Sequence, residues 1–182
     1  MAVTVSLTET STVVLDTDPD QIPNPAVGTA AADRLVFFIL YGTQPIGGGV
    51  TISSVTIGGV TATLAVQAGN MPMTTNFDWL GMWWALVPTG TTANIDIDFS
   101  AAPAGATLRY DVFRAIGADT TTPILSTDTD SWVASGGARN IDLNMPAGGA
   151  ALGGATNGGR LASTFTWTVI GEASDADGAS GA

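Results

Sequence analysis

The sequence predicts an all-β chain: a two-sheet antiparallel sandwich of jelly-roll type, with about ten strands and little or no helix. Three observations carry that expectation. Apolar and polar residues alternate in stretch after stretch, as the two-residue period of a strand requires. Clusters of Gly, Pro, Asn and Asp recur roughly every ten residues, a spacing suited to short strands and tight turns. The usual surface helix formers are scarce: there is no Lys, and Glu occurs only as Glu9 and Glu172.

Residues 3–15 alternate and are rich in Thr, a long first strand. Residues 16–28 (DTDPDQIPNPAVG) read as a loop, because three prolines and three aspartates do not suit a sheet interior. Residues 34–41 (RLVFFILY) are apolar on both faces after Arg34 and predict a central strand covered on both sides. Residues 50–57 and 60–66 form a hairpin about Gly58-Gly59, since two residues free to take positive φ satisfy a type I′ turn. In residues 77–87 (FDWLGMWWALV), Trp79, Gly81, Trp83 and Ala85 share one face of a strand; Leu80, Met82, Trp84 and Leu86 share the other.

Pro88-Thr89-Gly90 is a turn. In residues 92–99, Ile95, Ile97 and Phe99 point inward and Asp96 and Asp98 outward. A turn at 101–105 leads to residues 108–116, with Leu108, Tyr110 and Val112 on one side and Arg109, Asp111 and Phe113 on the other. After a Thr-rich loop at 117–123, further strands are expected at 124–125, around Trp132, and at 140–145, 149–156 and 160–170. Residues 1–170 thus make one sandwich domain, and the small, acidic, non-periodic residues 171–182 a flexible tail.

Composition limits function. Charged residues are only 12% of the chain, yet the formal net charge is −11. An acidic chain repels phosphate backbones, so nucleic acid is not an expected partner. With no His, Cys or Lys, the common nucleophile–base pairs of acyl transfer and the imidazole or thiolate metal sites are absent, and the chain reads as a non-enzyme. The most apolar run, 35–41, is too short to span a bilayer, and no membrane partner is expected. No basic segment followed by an apolar run marks a secretory signal at the start.

Few residues are candidates for a site. Asp16, Asp18 and Asp20 are spaced like the start of a calcium loop. However, the sixth position is Gln21 where Gly belongs and the twelfth is Val27 where Glu belongs. Asx turns explain such aspartates equally simply; no cofactor is expected, and calcium is the one alternative. Asp128 and Asp130 make a second small cluster, and Asp96 and Asp98 share a strand face with nothing to raise the pKa of either. Trp79, Trp83, Trp84 and Trp132 are the candidates for partner contact, or for stacking on a glycan, with core packing the alternative for most of them. The low-charge, small-residue composition points to surfaces made for protein contact.

Three stretches carry a family resemblance: SVTIGGVTA (54–62), WWALVPTGTTAN (83–94) and YDVFRAIG (110–117). Together with the strands between them, they resemble a recurrent pattern in small β-rich structural proteins of tailed phages and phage-like particles. That resemblance implies a virion protein on the capsid exterior, of decoration or cement type. Its partners would be the major capsid protein and copies of itself, arranged as a homotrimer. Residues 2–20 and the tail are the expected arms reaching a neighbour. The alternative it implies is a carbohydrate- or receptor-binding module of a fibre, spike or tail.

Overall fold

The computed structural model describes residues 2–42, 50–69, 79–129, 143 and 147–154, with Gly69 and Trp79 described by backbone alone. Within them the chain is all-β, with no helix and two antiparallel sheets. The strands are β1 (Thr4–Leu15), β2 (Asp20–Ile22), β3 (Leu35–Gly42), β4 (Ile52–Ile57), β5 (Val60–Thr61), β6 (Thr63–Gly69), β7 (Trp79–Leu86), β8 (Ile95–Phe99) and β9 (Ala106–Ile116). One sheet has the order β1-β9-β3-β7-β6 and the other β2-β8-β4-β5.

The pairings nest. Strand β1 pairs with β9, β2 with β8, β3 with β7 and β4 with β5, all antiparallel. The chain is therefore one ribbon doubled back at Gly58-Gly59, then folded so that its successive pairs alternate between the sheets. Gly58 and Gly59 have φ of 60° and 76°, the left-handed values that the expected tight turn demands.

The predicted alternation places the cores. Val36, Phe38 and Leu40 of β3 face the other sheet, where Ile95, Ile97 and Phe99 of β8 meet them. Phe38 is fully buried between Trp83 and Tyr110, with ring centroids 6.0 and 6.1 Å away. Leu35, Phe37 and Ile39 face the opposite way and form a second core with Leu80 and Met82. That outer face is covered by the chain after β9, through Ala118, Ile124 and Leu152. The run 35–41 is apolar at every position because both sides of β3 are covered.

Several expectations need correction. The described strands number nine, and residues 124–125 and 149–154 are not among them. Pro123 withholds a ladder N–H beside the first, and the Gly- and Ala-rich second has few side chains to fix a register. Both instead lay apolar groups on the outer face: a Cβ on Gly154 would stand 2.6 Å from Leu80 Cδ1. The expected loop at 16–28 contains β2, which fits between Pro19 and Pro23 because it is a three-residue edge strand. The hairpin's second arm does not stay with β4. After two pairs, Thr56 with Thr61 and Ile57 with Val60, it leaves through Ala62 for the other sheet and continues as β6 beside β7. Residues 2–20 are not an arm, because β1 is paired along its own β9 from Thr4 to Leu15. The expected strands around Trp132 and at 160–170, nearly all of 140–145, and the tail at 171–182 lie outside the described residues.

Candidate functional site

The aspartates of the calcium-like spacing sit in and beside the turn from β1 to β2, and the carboxylates of Asp18 and Asp20 bond to backbone amides. Asp20 is buried; its Oδ2 accepts from the backbone N of Asp16 (2.8 Å) and of Thr17 (3.3 Å), and its Oδ1 accepts from its neighbour Gln21 N (2.9 Å). Asp18 Oδ1 accepts from Phe99 N at 2.9 Å and ties the turn to β8. These two carboxylates face separate backbone amides. Among the described residues, no group of three or more acids is placed to hold a metal ion. Asp96 and Asp98 point outward from β8 as the alternation requires. Asp96 accepts from Gln21 and Thr56, and Asp98 from Ser54, so each acid pins β8 to a neighbouring strand.

The tryptophans divide. Trp83 lies in the inter-sheet core, only 5% exposed, and Trp84 is half-buried on the outer face, paired across to Thr63 of β6. Trp79 lies in β7 at the register of Gly42 and Gly69; its side chain and all of Trp132 lie outside the described residues. Trp84 lines a trough between β6 and residues 122–129. The trough has two lobes of about 420 and 390 Å³ that share Leu64, Ala65 and Thr127. A β-bulge between Leu64 and Val66 kinks β6 there, so that Ala65 and Val66 both pack on the outer core while Leu64 stands 47% exposed. One lobe is apolar, with Trp84, Ile124 and Leu125; the other is polar, with Gln67, Asp128 and Thr129. Such a surface suits an uncharged ligand with one apolar face. Sequence reasoning found Trp84 and Asp128 but not that a kinked β6 brings them to one trough.

A buried cation was missed altogether. Arg34 is fully buried at the start of β3 and donates only to carbonyl oxygens: Nε to Val87 (2.6 Å), Nη1 to Gly28 (2.6 Å) and Gly90 (2.8 Å), and Nη2 to Thr89 (2.5 Å). Burial, and then the charge of Arg114, lower its pKa. The planar fork reaches several fixed carbonyls at once, which an ammonium cannot do. It binds the turn after β7, the VPTGTT stretch, to the loop after β2. On the outer face Asp111 is also buried, with Oδ1 lacking any hydrogen-bond partner among the described residues.

The two ends of the β1 edge are built differently. At the bulge between Leu7 and Glu9, the Glu9 side chain turns into the sandwich. Its Oε1 accepts from the Tyr110 hydroxyl (2.7 Å), and its Oε2 accepts from Ala26 N (2.5 Å). Burial, and then Glu9, push the Tyr110 hydroxyl up to about 12. Thr8 Oγ1 donates to Ala26 O at 2.7 Å, so the loop after β2 covers this part of the strand. Beyond it, Thr10, Ser11, Thr12 and Val14 are exposed, with no charged residue among them.

No family model, curated protein or solved structure matches this chain.

Proposed function

We propose that the chain is a virion structural protein, a capsid decoration or cement protein that binds the outer surface of a phage-like head and stabilises it by protein–protein contact. The observation that carries the reading is where the three resembling stretches fall. SVTIGGVTA is the tip of the folded ribbon, VPTGTT is the corner clamped by Arg34, and YDVFRAIG is most of β9, which lies between β1 and β3. Each is a piece of scaffold, so the resemblance is one of architecture. The same nesting supports assigning the sandwich to the jelly-roll type: a doubled ribbon of four strand pairs, wrapped across two sheets, generates the orders β1-β9-β3-β7 and β2-β8-β4-β5, with β6 added at one edge.

A cement protein needs no catalytic apparatus. Asp18, Asp20, Asp96 and Asp98 are tied to amides and hydroxyls, which fits that role. Many weak contacts repeated over a shell suffice for tight holding. The acidic balance suits the exterior, away from packaged nucleic acid. The test is binding of purified protein to heads that lack it: saturable attachment and greater resistance of the shell to heat are expected, and failure to attach removes the proposal.

The trough at Trp84 favours a second reading, a carbohydrate-binding module of a fibre or spike. An aromatic face beside Gln67, Asp128 and Thr129 has the mixture of apolar plane and hydrogen-bonding groups that a neutral sugar requires. Unchanged tryptophan fluorescence on adding sugars, together with silence on a glycan array, would remove it.

A further inference from the structure

We propose that residues 10–14 of β1 pair antiparallel with the same residues of a second copy about a two-fold axis, joining two five-stranded sheets into one. The inference deepens the protein-contact reading above without depending on any capsid partner.

The two described sheets end in β1, β6, β2 and β5. Exposed edges carry unpaired backbone groups and are ordinarily guarded by shortness, proline, bulges or inward charges. Strand β2 has three residues and a proline on either side, and β5 has two residues. Strand β6 is kinked by its bulge and flanked by residues 122–129. Strand β1 is twelve residues long, and among the described residues its guards stop at Glu9: the bulge, the inward carboxylate and the loop at Ala26 all lie at Leu7–Glu9. The rest of the edge is straight, exposed and uncharged.

A second copy fits this edge for two reasons. Each molecule carries a net charge of −11, so copies repel unless they meet where charge is absent. Residues 10–15 (TSTVVL) are such a place, bounded by Glu9 and Asp16. The stretch is also self-complementary: centred on Thr12, the pairing sets Thr10 opposite Val14 of the partner subunit and Ser11 opposite Val13 of the partner subunit. Small Thr–Val and Ser–Val pairs of that kind suit cross-strand packing. An isologous contact closes at two copies. Five residues extend about 17 Å, which places the interface at the small, weak end of the known range. Association is therefore concentration-dependent, and it strengthens with salt because only the repulsion is screened.

The experiment is sedimentation velocity on the full chain, with Thr12→Lys and Thr12→Glu measured alone and mixed. Thr12 is exposed, and the two-fold axis sets it opposite Thr12 of the partner subunit. The wild type is expected to be a reversible dimer whose dissociation constant falls several-fold as salt rises to about 0.5 M. Each variant alone should be monomeric, and the equimolar mixture should dimerise again, since Lys then meets Glu. Recovery in the mixture shows that both variants are folded. A wild type that stays monomeric at high concentration, a trimer, variants that dimerise as the wild type does, or folded variants whose mixture stays monomeric overturns the proposal. Shell attachment is read separately: a monomer that binds heads sinks the pairing alone, and a dimer that does not bind heads sinks the cement role alone.

Discussion

Arg34 and Val87 hold each other twice: Val87 N donates to Arg34 O at 3.1 Å, and Arg34 Nε donates to Val87 O at 2.6 Å. This pair joins the start of β3 to the end of β7, and the rest of the guanidinium extends the joint to Gly28, Thr89 and Gly90. Arg34→Ala strands these carbonyls in a buried site. A loss of about 3 kcal/mol or more is expected, read as a lower midpoint in urea unfolding. Arg34→Lys keeps the charge but not the fork and is expected to recover less than half of that loss.

The ribbon tip gives a graded pair. Gly59 meets open space, so Gly59→Ala carries only the cost of a left-handed Ala, about 1 kcal/mol. At Gly58 the added Cβ would also come within 3.2 Å of Val87 Cγ1, so Gly58→Ala is expected to cost more. Equal thermal shifts for the two would contradict this description of the turn.

Trp83 and Trp84 are adjacent in sequence and opposite in role. Trp83→Ala opens the inter-sheet core beside Phe38 and is expected to cost about 3–5 kcal/mol. Trp84→Ala, on a half-exposed side chain, should cost clearly less, and under the carbohydrate reading it should abolish the sugar-induced fluorescence change. Chemical denaturation of both variants checks the order.

Tyr110 sets an alkaline limit. Its hydroxyl ionises near 10 when unfolded and at about 12 in the fold, because burial and Glu9 oppose the phenolate. The folded state therefore keeps a proton that the unfolded chain loses. The resulting stability is fully present below pH 10 and is lost as pH rises from 10 toward 12. Burial, and then Asp111, also raise the Tyr41 pKa, which acts in the same direction. Tyr110→Phe should flatten the fall in melting temperature over that window.

Strand faces were legible wherever one residue type repeated at period two. Ile95, Ile97 and Phe99 against Asp96 and Asp98 could be read directly, and so could the two covered faces of residues 35–41. The crossing at Ala62 could not, because TATL alternates through it without a break and nothing local records a change of sheet. Arg34 looked like a polar strand end. Its burial follows from four carbonyls, three of them at Val87, Thr89 and Gly90, more than fifty residues along the chain. The trough is equally non-local, assembled from β6, β7 and the chain after β9. The open edge of β1 was visible only as a Thr-rich run; that no described residue guards it after Glu9 depends on the sheet order.

The central claim is that this sandwich works by lying against other protein. The most direct measurement is co-sedimentation of the purified chain with phage-like heads lacking it, followed by imaging of the decorated shells. Saturable binding at fixed, symmetry-related positions on the outer surface is expected, with shells that withstand higher temperature. Protein that remains in the supernatant at every concentration, with shells no more robust than before, would contradict it.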